Sequence, residues 1–427
     1  MSNGKLIIAT QKHLVSQRAD APGLEHLDTT ILAGKCGRLL ARIRQLSIIE
    51  KDKLVAISRG IGIMPSELDN LILPTIEKHA ENLIIVQRAR DGSVLGVEEF
   101  ISSKQTILES TEQIWDRSGP NEVEYANLDG LRFCEGLPRT QDEYYSHIAE
   151  TGVSESDVRL VYDIQIGFRL LKKQDATYGL REPIVYNEYM WGERAAAIYN
   201  AIHDLALDLQ AQLLELLNEI QVRQGIPVDE LINRGIGSVL QLAKKTGVID
   251  VTAIKTREGV TKEFATTPRI WGTLGHDTLE DADIFDDVKL FLNSIRYGEV
   301  YGRRSTGRIM DPIRLLTVLL EKGEIGPATA IGKDYPLVEQ AGIVSVETTA
   351  SGLYVMRPRK RDVIETVVDI LEHGSALPLD ERYDPSMNNL NYPGSFITGE
   401  EIRSREADPT PPMQEALSNL LTHLRTS

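Results

Sequence analysis

Cysteine is nearly absent from this chain of 427 residues. Cys36 and Cys134 stand far apart, and two such thiols form neither a disulfide framework nor a thiolate zinc site on their own. A reducing, cytoplasmic setting is the expectation. Long apolar runs are missing too: none approaches the ~18 residues of a membrane span, and the N-terminus has no basic-then-apolar export pattern. Positive charge is in deficit. Lys and Arg number 47 against 63 Asp and Glu, a net charge of −16, which repels a polyanion unless cations cluster locally. What remains, 41% hydrophobic and 26% charged residues, is the composition of an ordinary globular protein, with length for two to four domains.

Catalytic signatures are also lacking. Ala33-Gly34-Lys35-Cys36-Gly37 invites a phosphate-loop reading, but Thr29 stands where the loop needs its first glycine and Cys36 where it needs Ser or Thr. The expected alternative is a helix start running into Leu39, Leu40, Ile43 and Leu46. His203-Asp204 and His276-Asp277 are the two His-Asp pairs that a metal-dependent hydrolase would use, 73 positions apart and with no fourth ligand to name. Glu280, Asp281, Asp283, Asp286 and Asp287 lack calcium-loop spacing and suit the positive end of a helix dipole. No nucleophile motif or paired carboxylates stand out, so a non-enzymatic protein without cofactor or metal is expected.

The clearest stretch runs from Asp311 to His373. Asp311-Pro312 starts a helix with an N-cap acceptor and a proline at the first helical position, and Gly323 ends it. A short segment, Pro327 to Ile331, precedes a Pro336-initiated turn of helix. Ile343–Thr348 and Leu353–Pro358 read as a hairpin, and Asp362–His373 as a closing helix. This order resembles the winged-helix superfamily. The pattern recurs over 47–118, where Asp91-Gly92 joins two strand-like runs, and over 193–270, where Arg257-Glu258-Gly259 does the same. There the first element is a long helix whose seam includes Ile198, Ile202, Leu205, Leu209, Leu213, Leu216 and Ile220.

The expected fold class is therefore mainly α with small β-hairpins (α+β), as tandem winged-helix-like modules joined by a helical middle region. Its divisions are an N-terminal segment 1–46 with a short strand at Leu6–Ile8, modules at 47–118, 193–270 and 311–374, a linker and helical region 119–192, a helix and basic loop 271–310, and a Pro-rich acidic tail 375–427. Within 119–192, residues 119–150 read as loop, Ser154 to Lys173 as helix, and Tyr178, Tyr186, Tyr189, Trp191 and Tyr199 as the aromatic cement of a helix junction. The tail ends in an amphipathic helix.

The resemblance implies two kinds of partner. Double-stranded DNA would be met by third helices and wings, with Gln241, Lys244 and Lys245 on one third helix, Arg296, Arg303, Arg304 and Arg308 in the basic loop, and Arg357, Arg359, Lys360 and Arg361 beside the last wing. The alternative is an acidic scaffold that assembles proteins or a second copy of itself, with Leu417, Leu420, Leu421 and Leu424 of the terminal helix as the docking face.

Overall fold

The computed structural model describes residues 2–15, 17, 21–80, 82–134, 137–176, 180–187, 207–245, 249–266, 286–302, 309, 311–329, 331, 335–373 and 393–405, with 414, 415, 417, 418, 421 and 422 of the last segment. The chain is mixed α+β, helices carrying most of the described residues and the strands forming small antiparallel sheets. One pattern recurs: helix, strand, helix, helix, strand, strand, with the sheet ordered first, third, second; three units show it in full, and the last has one described helix between its first two strands.

The N-terminal helix α1 (Asn3–Leu14) comes before the first such unit. That unit comprises α2 (Asp28–Ile43), β1 (Ile48–Glu50), α3 (Lys51–Gly60), then α4, in which Pro65–Glu67, Leu68–Ile72 and Leu73–His79 run on with a π turn between them. It closes with β2 (Ile84–Arg88) and β3 (Val94–Glu99), in the order β1-β3-β2. Helix α5 (Lys104–Arg117), started by the Ser103 hydroxyl accepting from Thr106 N at 3.1 Å, packs on α1 and α2.

The second unit occupies the stretch read as linker. It contains α6 (Glu122–Phe133), β4 (Arg139–Thr140), α7 (Gln141–Glu150), α8 (Glu155–Gly167), β5 (Lys172–Gln174) and β6 (Ile184–Tyr186), again in the order β4-β6-β5. Full capping boxes, Asn121 with Glu124 and Thr140 with Glu143, start α6 and α7. The 154–173 helix expected from the sequence stops at Gly167, because Arg169 turns left-handed and the chain leaves as a strand. Tyr186 is buried in β6; the other aromatics of that expected junction lie outside the described residues.

The third unit has α9 (Leu207–Val222), β7 (Ile226–Pro227), α10 (Val228–Asn233), α11 (Gly237–Lys245), β8 (Asp250–Thr256) and β9 (Thr261–Thr266). Leu213, Leu216 and Ile220 of the expected seam are buried in this unit's own core. Helix α12 (Asp287–Val300) then leads to α13 (Pro312–Lys322), β10 (Ile325–Ala328), α14 (Pro336–Gln340), β11 (Val344–Thr348), β12 (Tyr354–Pro358) and α15 (Arg361–His373). The last sheet is ordered β10-β12-β11. Asp311 and Gly323 cap α13 as the sequence requires: the carboxylate accepts from Arg314 N at 2.9 Å, and Gly323 adopts φ 72°.

The tail returns to the body. Strand β13 (Pro393–Ile397) adds antiparallel to β8, and α16 (Gly399–Ser404) rests on α1 and β8.

Two expectations fail at the N-terminus. Leu6–Ile8 belongs to a helix, and all three side chains are fully buried because α1 is enclosed by α2, α5 and α16. Enclosure on several sides buries residues all round the helix, the polar Gln11, Lys12 and His13 among them, and erases its apolar period. The Ala33–Gly37 stretch lies in the middle of α2. Its glycines serve close helix packing: a Cβ on Gly34 would come 2.3 Å from Gln11 Cβ, and one on Gly37 the same distance from Thr111 Oγ1.

Candidate interaction surface

Of the cations expected to face DNA, those whose side chains are placed are already engaged within the chain. Arg296 is buried on α12, its Nε donating to Gln224 O at 3.0 Å and its Nη1 to Glu299 at 2.8 Å. Lys244 on α11 reaches Glu263 at 3.3 Å, while Gln241 of the same helix is exposed; Lys245 ends that helix. Arg357 is clamped between Glu324 and Glu347 across the last sheet, and these carboxylates raise its already high pKa. Arg359 donates to Ser345 Oγ at 3.2 Å, and Arg361 donates to Leu320 O at 3.1 Å. Arg303, Arg304 and Arg308 lie outside the described residues.

Lys360 corrects the sequence reading most sharply. It is fully buried, with Nζ 2.8 Å from Asp287 Oδ2 and 3.0 Å from Ala41 O. Asp287 also takes Arg42 of α2, while Asp286 takes Lys12 of α1 at 2.8 Å. Arg44 and Lys104 both approach Asp362, at 2.8 and 3.5 Å. Asp286 and Asp287, read as dipole complement, are thus two of the three carboxylates of an ionic seam. It joins the first unit to α12 and α15, across sequence separations of 245 to 319 residues.

The seam is electrostatically lopsided. Burial pushes the Asp287 carboxyl up, yet Lys360 and Arg42 outweigh it and hold the group below the ordinary carboxylate range. Lys360 is pushed down, first by burial and then by Arg42, because two cations share one carboxylate. Asp362 is likewise held low: burial raises it, and Arg44 and Lys104 more than compensate.

The third helix of each unit is the other place to look. On α4, Glu67 binds Lys35 at 2.6 Å, Asp69 binds Lys51, and Glu77 binds Arg88 at 2.6 Å. Helix α8 exposes Glu155, Arg159 and Asp163, and Arg159 is already on Glu155 at 2.7 Å. Helix α14 is packed away: Gln340 Nε2 donates to Ala56 O of α3 at 3.0 Å, and the helix lies against β13.

The terminal docking face is partly closed as well. Leu417 and Leu421 are buried by this chain, so they are not open to a partner; Leu420 and Leu424 lie outside the described residues. Exposed apolar side chains concentrate instead on the first unit, on its sheet at Ile48, Ile85 and Leu95, at Phe100 just past β3, and on α4 at Leu71, with Met64 just before that helix. This concentration leaves no trace in sequence periodicity, since a strand with both faces apolar reads like any buried strand.

Among the described residues no His, Cys, Asp and Glu cluster could hold a metal, and His203, Asp204, His276 and Asp277 lie outside them. Both thiols are buried; burial raises Cys36 strongly and pushes Cys134 up to about 12, which keeps each protonated at neutral pH. No described helix is long and apolar enough to cross a membrane. No protein-family model, curated protein or solved structure matches the chain.

Proposed function

We propose that the chain is a protein-interaction scaffold built from four winged-helix-like modules, one more than the sequence alone suggests. The repeated order of elements, with each sheet arranged first, third, second, supports the module assignment. The observation that carries the scaffold reading is the commitment of the cations: each described candidate Arg or Lys whose side chain is placed already meets a carboxylate, a carbonyl or a hydroxyl of this chain. Phosphate binding by such a group would first break that contact, and the field around it is set by a net charge of −16. Third helices are what such modules place in the major groove. Here α14 is occupied by the first module, α8 is acidic outward, and α4 has its acids tied to its own module's cations.

The test is fluorescence anisotropy of the purified protein on random duplex DNA at several salt concentrations. The scaffold reading expects no binding at physiological salt. Affinity that falls steeply with salt, and drops further in Arg303→Glu/Arg304→Glu, would overturn it and restore DNA as the partner through the basic loop.

A further inference from the structure

An unpaired sheet edge presents a row of free N–H and C=O groups, and proteins blunt such edges by keeping them short, charging them, placing proline on them or covering them. This chain does so at nearly every described edge. Strands β4 and β7 have two residues each, the latter containing Pro227. Strands β1 and β5 have three, and β5 carries Lys172 and Lys173. Strand β10 contains Pro327. On β11 the Val346 N–H is taken by the Glu339 carboxylate at 3.2 Å. The seven-residue β8 is covered by β13 from the chain's own tail.

Strand β2 is the exception. It has five residues, Ile84-Ile85-Val86-Gln87-Arg88, with no proline and a single charge at its end, Arg88, which Glu77 holds at 2.6 Å. Leu83 O accepts from Phe100 N, and Ala89 N donates to Ser93 O, so odd-numbered residues turn their backbone groups toward β3. The extra residue of the irregularity at Gln87/Arg88 is on β3, leaving the alternation of β2 intact. The amides and carbonyls of Ile84, Val86 and Arg88 therefore point away from the sheet, and β2 pairs with β3 alone among the described residues.

The face beside this edge has a definite chemistry. Registered rows run Ile48–Glu98–Ile85 and Glu50–Gly96–Gln87 on the outer side, with Ile48 61% and Ile85 54% exposed. Those rows hold two carboxylates and no cation. A lysine or arginine opposite Ile85 would lay its stem over that isoleucine and bring its charge to Glu98. The inward positions of an added strand would sit beside Ile84 and Val86, which are core residues and want apolar neighbours.

We propose that the free edge of β2 docks an extended segment of a partner protein, alternately apolar and basic, by strand addition. The chain supplies the precedent: β13 completes the sheet of the third unit on β8, the strand in the position that β2 holds in the first. Charge selects a basic partner strand over a second copy, since two copies would bring together chains of −16 each. This inference deepens the scaffold reading and rests on it, but the two fail separately: the scaffold reading falls to DNA binding, the docking edge to the following peptide experiment.

The probe is an end-capped peptide alternating lysine and valine, titrated onto the full chain, with site-resolved amide exchange as the readout. The expected result is saturable micromolar binding that slows exchange at Ile84, Val86 and Arg88 by about tenfold or more, a protection equivalent to about 1.4 kcal/mol. Ile85→Lys, at a solvent-exposed position that leaves the fold intact, is expected to weaken binding at least about tenfold. So is N-methylation of the peptide amides that pair with the edge. Absence of binding up to millimolar peptide overturns the proposal, as does equal binding by the N-methylated peptide or no change at those three amides. Concentration-dependent dimerisation of the protein alone, abolished by Ile85→Lys, would instead assign the edge to a second copy.

Discussion

Asp287 is surrounded by more positive charge than it can neutralise. Lys360 and Arg42 both bind it in a buried site, so removing the carboxylate would strand two buried cations. Breaking a buried pair by deleting one partner costs far more than the pair contributes, about 3–5 kcal/mol, because the survivor keeps its desolvation penalty without its counter-charge. Asp287→Ala is therefore expected to destabilise the chain by about that amount, read as a lower midpoint in urea unfolding. A change under about 1 kcal/mol would mean that the two cations find water or another acceptor. The same site shows why residue types mislead. Lys360 stands in the sequence Arg357-Pro358-Arg359-Lys360-Arg361, which reads as a basic surface run, but only its partners decide exposure, and they lie 73 and 319 positions away.

At the scale of elements, legibility follows from how cleanly apolar residues mark the inward face. Helix α13 reads directly, with an acid cap, proline at the start, a glycine stop and Leu316 and Leu319 inward. The second unit is harder to read because polar residues interrupt its inward face. Glu124 is buried and accepts from Thr30 N at 2.7 Å, from Thr30 Oγ1 at 3.0 Å and from Asn121 N at 3.1 Å; Gln165 donates to Asn127 O at 2.7 Å. Such positions look like solvent-facing ones until their partners are known, and the region 119–150 reads as loop. The candidate surface was illegible for a related reason: cations are visible in a sequence, but the carboxylates that occupy them are not. Packing of α1 on α2 gives this scale its own prediction. Mid-helix glycine costs about 1 kcal/mol against alanine, so Gly34 and Gly37 are retained for approach and not for helicity. Gly34→Val is expected to lower stability by about 1–3 kcal/mol through overpacking against Gln11. Thermal unfolding checks it; an unchanged midpoint would show that α1 shifts freely.

Across the whole molecule, two kinds of adhesion are divided between two jobs. One continuous apolar cluster binds the first two units, from Leu6 to Val185, and two others hold the third and fourth. Between these halves the described hydrogen bonds and ion pairs are Lys12–Asp286, Arg42–Asp287, Lys360 with Ala41 O, Arg44 and Lys104 with Asp362, and Gln340 with Ala56 O, beside the packing of Leu46 on Gly342. Apolar clusters are indifferent to protons, whereas the seam is not. Asp287 and Asp362 bind protons less readily folded than unfolded, so their contribution is complete above the ordinary carboxylate value of 3.8. It is lost as pH falls through the lower folded values. Between neutral pH and about 4 the halves are expected to unfold together. As pH falls below that range and through the lower folded values, the seam should fail before the cores do, and the single transition should divide into two, seen by scanning calorimetry at successive pH values. Asp287→Asn, which removes the titrating group, should bring the division to neutral pH. A transition that stays single until the whole chain is acid-unfolded would show that the packing of α14 on α3 and of α16 on α1 suffices to couple the halves.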